Sequence, residues 1–185
     1  MRWISALAAV GLILMAQSSA FALEFEDTSG WARVDARYCT LWFDSGINIK
    51  KVNKQIHTRR LRDWRGMPKG TSPEDELASK CDVIFRRAQE VLDMYPPGVH
   101  VTLKVTSNRD AIRRVHEKYY GRGTDAVAIY LFENNTIYAS VGDLSESVLA
   151  HEMAHCIIDH YFQVRPPRKI EELLAMHVDA QLGES

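Results

Sequence analysis

Two histidines four residues apart, His151 and His155, with Glu152 directly after the first, lie in a stretch whose apolar residues recur on a helical period. Leu149, Ala154, Ile157 and Ile158 carry that period. On a helix, residues four apart stack on one face. His151 and His155 can therefore offer two ring nitrogens to one cation at about 2.0–2.1 Å each. Glu152 sits roughly 100° further round the helix. It is off the two-nitrogen grip but can reach a coordination position that the protein leaves open. A catalytic zinc takes three protein ligands and one water, so some other element must bring a third ligand over this helix. That requirement constrains the fold more than any other feature of the chain.

Few groups can meet it. His160 is five positions past His155, and Cys156 is adjacent to it, so both point off the shared face. Pro166-Pro167 breaks the helix, and a last helix is expected from about Arg168 to Leu182. That helix carries Glu171 and Glu172, and a turn that folds it back brings either within reach. Periodicity does not choose between them. Zinc lowers the pKa of a bound water toward about 7, and a neighbouring carboxylate can take the proton released. Glu152 is placed for that role.

The rest of the chain reads as alternating strands and helices. Val34 to Phe43 is expected as one strand, with Val34, Ala36, Tyr38, Thr40 and Trp42 on one face. Ile47 to Arg62 has a weak helical period, and its basic residues read as a solvated face. Gly66 to Pro73 is a break. Ser72-Pro73 with Asp75 marks a helix start. Leu77, Cys81, Ile84, Ala88, Val91 and Tyr95 then form a core stripe ending at Pro96-Pro97-Gly98. Val99 to Val105 alternates as a strand, and Asn108 to Tyr120 is a charged helix. Ala126–Phe132 and Thr136–Ser140 are expected to pair as a hairpin about Asn134-Asn135.

The first twenty-two residues differ in kind. Arg2 gives a positive start, the run from Trp3 to Ala16 is apolar, and Ala20 and Ala22 supply the small residues of a cleavage site. The expectation is a signal peptide over 1–22 and a single domain over 23–185, secreted or periplasmic. No later segment is long enough to span a bilayer. The 185 residues suit one domain, and 46% hydrophobic residues suffice for a core. A formal net charge of -1 argues against a nucleic-acid partner. In an oxidising compartment Cys39 and Cys81 are a pair to test as a disulfide, with buried thiols as the equal alternative.

The run Val148-Leu149-Ala150-His151-Glu152-Met153-Ala154-His155, followed by Glu171-Glu172-Leu173-Leu174-Ala175, resembles the gluzincin zinc metallopeptidases. In that clan a downstream helix carries a glutamate ligand in the pattern Glu-x-Phe/Leu-Ala. The resemblance implies Glu172 as third ligand, with Glu171 as the fallback, around one Zn2+ ion. It further implies an α+β, zincin-like fold: a small mixed sheet with an antiparallel edge hairpin, an active-site helix and a C-terminal glutamate helix. Asp179, seven positions after Glu172, resembles the acid that orients a zinc histidine, and Thr136–Ser140 is implied as the edge strand that pairs with an extended peptide. The matching motifs span about Thr136 to Gln181. Two departures stand out. Leu173 occupies the position where the clan often has glycine, and the chain ends soon after the glutamate helix, as in minimal single-lobed members. The group that holds the oxyanion must then come from within, and His177 is the first candidate, ahead of Tyr138 and Tyr161. His57, His100 and His116 read as structural or surface residues.

The expectation is an exported zinc metallopeptidase that hydrolyses peptide bonds of a peptide or protein substrate, with Glu152 as general base and a water in the fourth coordination position. Two alternatives remain: a catalytically closed zinc-binding or assembly protein on a peptidase scaffold, and a latent enzyme covered by its own terminal segment.

Overall fold

In a computed structural model of the chain, residues 28–57 and 71–183 are described. The expected signal peptide, the break after residue 66 and part of the basic run lie outside them. The fold is mixed α+β: five strands in one sheet and five α-helices among the described residues. The strands are β1 (Ala32–Asp35), β2 (Cys39–Phe43), β3 (Val101–Thr106), β4 (Ala128–Leu131) and β5 (Thr136–Ser140). The helices are α1 (Ile49–Gln55), α2 (Pro73–Leu92), α3 (Arg109–Tyr120), α4 (Glu146–Tyr161) and α5 (Arg168–Gly183). The sheet order is β1-β2-β3-β5-β4. The inner pairs β2–β3 and β3–β5 are parallel, and the outer pairs β1–β2 and β4–β5 are antiparallel.

Alternation along the inner strands divides the core in two. On one face Leu41, Leu103, Val105, Ile137 and Ala139 pack with Leu77, Cys81, Ile84 and Ala88 of α2, with Leu149, Met153 and Ile157 of α4, and with Ala175 and Val178 of α5. On the other face Tyr138 and Leu131 meet Ile112 and Val115 of α3. β5 is buried at every position because it has a strand on each side and helices on both faces.

Two expectations need correction. The segment from Val34 to Phe43 is a tight hairpin, not one strand: Asp35 pairs with Thr40, and the Ala36 N–H donates to the Cys39 carbonyl at 2.9 Å. The Asp82 carboxylate of α2 accepts the N–H groups of Arg37 and Tyr38, both at 3.1 Å, and so holds the turn. The reversal also shifts the alternation. Cys39, Leu41 and Phe43 are buried, while Thr40 and Trp42 are half-buried. Apolar residues on both phases had left the register ambiguous. The second correction concerns the sheet edge. Thr136–Ser140 lies between β3 and β4, so the free edge is β4.

Helix α2 starts at the expected cap. Ser72 accepts from the Asp75 N–H while Asp75 returns the bond to the Ser72 backbone. It stops at Leu92 because Asp93 turns left-handed, with φ 51°, which leaves Tyr95 exposed beyond the core stripe. Cys39 and Cys81, the candidate disulfide partners, are buried neighbours in the core and are free thiols here. No helix among the described residues is long and apolar enough to cross a membrane.

Candidate metal centre

Helix α4 begins at Ser145, whose hydroxyl accepts from the Val148 N–H at 3.3 Å. Its inner stripe, Leu149, Ala150, Met153, Ala154 and Ile157, is fully buried against the sheet and α2. That anchoring fixes the rotation of α4 and turns His151 and His155 toward a cleft at the free edge of the sheet. Pro166 and Pro167 end the connection, and the Pro167 carbonyl accepts the Ile170 N–H at 2.8 Å to open α5. Helix α5 runs back along α4. Glu172 faces His155 and His151, and seven residues on, Asp179 accepts a hydrogen bond from Ser147.

The nitrogen Nε2 of His151 lies 3.3 Å from Nε2 of His155, and Oε2 of Glu172 lies 3.7 Å from each. Two ligands of a tetrahedral zinc bonded at about 2.05 Å stand about 3.3–3.4 Å apart. The three atoms therefore lie within a few tenths of an ångström of the spacing of one face of such a tetrahedron. Two imidazoles and one carboxylate are also the donor set that suits zinc. Other clusters of this kind are not found among the described residues.

Glu171 does not join them. Arg165 grips its carboxylate with two bonds, at 2.5 and 3.1 Å, and Glu171 is only 4% exposed. The Arg165 guanidinium also lies over the Phe132 ring, 4.5 Å from its centre. Glu171 thus faces inward to Arg165 while its neighbour Glu172 faces the histidines. Arg168 approaches the other oxygen of Glu172 at 3.5 Å.

The histidines and Glu152 sit in a cleft of about 680 Å³, walled by α4, α5 and residues 126–130. Glu152 is 8% exposed, and burial drives its pKa up to about 8 even though the Tyr130 backbone N–H donates to it. Burial, with the neighbouring His151, drives the His155 pKa down to about 4, so this ring is neutral and able to ligate at neutral pH. The sign of the resulting pH effect is definite. An unfolded histidine takes a proton near 6.5, and the folded one resists until about 4. The contribution of His155 to the stability of the metal-free domain should be lost between those values as the solution is acidified, while the raised pKa of Glu152 acts in the opposite direction. Urea unfolding of the parent and His155→Gln at pH 7, 5.5 and 4.5 isolates it: the stability difference between the two should shift against the parent as pH falls.

The remaining candidates fall elsewhere. His177 is exposed and does not line the cleft, because five residues beyond Glu172 is about 140° round the helix. His177→Ala should leave zinc affinity and stability unchanged within about 0.5 kcal/mol, measured by metal titration and thermal unfolding. Tyr138 is buried on the opposite face of the sheet, and Tyr161 is exposed at the end of α4 against Phe162. Asp179 does line the cleft, but its partner is Ser147, one turn before His151. His57 and His100 make backbone hydrogen bonds away from the cleft. His116, read as structural, is one of the cleft-lining residues, and its Nδ1 bonds the Arg122 carbonyl at 2.6 Å.

The sequence reading missed Tyr130. On the edge strand β4 its backbone meets Glu152, while its hydroxyl donates to Asp159 on α4 at 2.9 Å. Tyr130 so ties the strand to the histidine-bearing helix at two points. The spacing of Asp159, four residues after His155, was the available signal. Tyr130→Phe should cost roughly 1–2 kcal/mol in urea unfolding, since it removes a bond to a half-buried carboxylate.

No family model, curated protein or solved structure matches the chain.

Proposed function

We propose that this chain is a zinc-dependent metallopeptidase of the gluzincin type, acting outside the cytoplasm. The observation that carries the reading is the triangle of His151, His155 and Glu172 atoms with edges of 3.3 and 3.7 Å, open to a cleft that also holds Glu152. A zinc ion held there supplies a Lewis acid that polarises a carbonyl and acidifies water.

The chain's own residues account for the rest. His151, His155 and Glu172 would hold the cation, and all three line the cleft. Glu152 takes a proton from the attacking water at its carboxylate and returns it to the leaving amine. Its burial serves this, because a carboxyl with a raised pKa is both a stronger base and able to deliver the proton near neutral pH. The free edge of β4 runs beside these groups and offers backbone N–H and C=O groups to an extended peptide. Such binding orients the scissile bond without demanding particular side chains. A purely structural zinc site would have no use for a buried carboxylate lining the same cleft.

The test uses purified protein lacking residues 1–22. One equivalent of zinc should copurify or be taken up, and a mixed peptide library should be cleaved. A chelator should stop cleavage and zinc should restore it. Stoichiometric zinc with no cleavage of any peptide would overturn the peptidase reading in favour of a binding protein.

A further inference from the structure

Helix α5 contains three acids, and all three are engaged toward the cleft side: Glu171 with Arg165, Glu172 with the histidine pair, and Asp179 with Ser147. Its outward positions are Arg168, Lys169, Ile170, Leu173, Met176, His177, Ala180 and Gln181. None is acidic. Ile170, Leu173 and Met176 are 45%, 54% and 59% exposed. The connection that leads into this face has the same character. From His160 to Ile170 there is no Asp or Glu; Arg165 is taken up by Glu171, and Arg168 and Lys169 are the cations that face outward. Val164 is 83% exposed, the most exposed large hydrophobic residue of the chain among those described, and Phe162 beside it is 38% exposed. Arg168 is 74% exposed in its side chain at the joint between connection and helix.

We infer that the 162–164 connection and the outward stripe of α5 form a docking surface for an anionic lipid membrane. Aromatic and aliphatic side chains beside lysine and arginine, with no acid among them, make up the composition of a surface that lies in a membrane interface. The apolar residues enter the headgroup boundary, and the nearby cations are drawn to a negatively charged leaflet. The charge distribution decides the occupant. A second copy docked on the same face would bring cations toward cations, whereas an anionic surface complements them throughout. The stripe also begins beside the cleft, since the exposed Arg168 lines it. Docking there would hold the mouth of the site near the bilayer surface. The inference does not depend on hydrolysis.

Sedimentation with lipid vesicles tests it. The protein lacking residues 1–22 should bind phosphatidylglycerol-containing vesicles about tenfold or more tightly than pure phosphatidylcholine vesicles, and salt should weaken the binding. Val164→Asp and Met176→Asp should each lower vesicle affinity about tenfold with unchanged circular dichroism. His151→Ala should lose zinc yet bind vesicles like the unaltered chain, which separates this inference from the metal-site reading. Equal binding to charged and neutral vesicles, or no vesicle binding, overturns it. A dimer in light scattering that Met176→Asp dissolves, without vesicle binding, assigns the face to self-association and overturns it as well.

Discussion

Glu152→Gln should lower kcat/KM for peptide hydrolysis by about three orders of magnitude while leaving zinc content intact. The carboxylate is not one of the three atoms that meet at the metal position, so the site loses a proton acceptor and keeps its ligands. The same substitution has a second expected effect, in stability, that reports on the burial of Glu152 independently of catalysis. The folded pKa of Glu152 is raised from 4.5 to about 8, so the folded domain prefers the neutral carboxyl. Below pH 4.5 both folded and unfolded chains are protonated, and nothing is lost. As pH rises from there to about 8, the unfolded chain gives up its proton first and stability falls. Glutamine cannot ionise. The metal-free variant should therefore match the parent near pH 4.5 and exceed it at pH 8 by on the order of 3–4 kcal/mol. A nearby cation favours the ionised carboxyl, so added zinc should shrink that difference. Thermal unfolding with and without chelator reads both arms. An active Glu152→Gln protein would remove Glu152 from the chemistry, and identical pH profiles would show that its carboxyl is solvated.

Adjacent glutamates should separate cleanly when each is changed to alanine. Glu172→Ala removes one corner of the triangle and should weaken zinc binding at least a hundredfold, as read by competition with a chromogenic chelator. The metal-free form should keep its melting temperature, because Glu172 is 40% exposed and makes only long ion pairs. Glu171→Ala should do the opposite. It leaves Arg165 without the partner that holds it at 2.5 and 3.1 Å, and removing one member of a buried pair is costly. Arg165 is itself 40% exposed, so partial hydration moderates the loss to about 2–3 kcal/mol. At low temperature, where the variant is folded, its zinc affinity should be near that of the parent. If Glu171→Ala loses zinc and Glu172→Ala keeps it, the ligand assignment is reversed.

Much of the local structure could be read directly. The start of α2 follows from Ser72, Pro73 and Asp75, and the histidine spacing places two rings on one helix face whatever surrounds them. These features depend on neighbours within a turn, where backbone geometry alone sets the answer. The hairpin at Ala36–Tyr38 was not legible because Asp82, forty-five residues from Arg37, stabilises it. Alternating residues on both phases fit one strand or two equally well.

Which strand forms the edge was hidden for a related reason. A hairpin of Ala128–Leu131 with Thr136–Ser140 can present either member outward, and the choice lies with β3, which pairs along the Thr136 strand. The expectation for His177 failed on a finer point: its position relative to Glu172 puts it 140° round the helix, and only the packing of Ala175 and Val178 shows which way that is.

By itself, then, the order of residues determined that two imidazoles would share a face, that a carboxylate would stand beside them, and that two adjacent acids would follow on a second helix. It left open which acid would turn toward the rings. Tertiary structure decided that by burying Ala175 and Val178 of this helix against the core, which sets Glu171 against Arg165 and turns Glu172 to the histidines. Side chains one position apart diverge by about 100°, and only long-range packing fixes the rotation of a helix about its own axis.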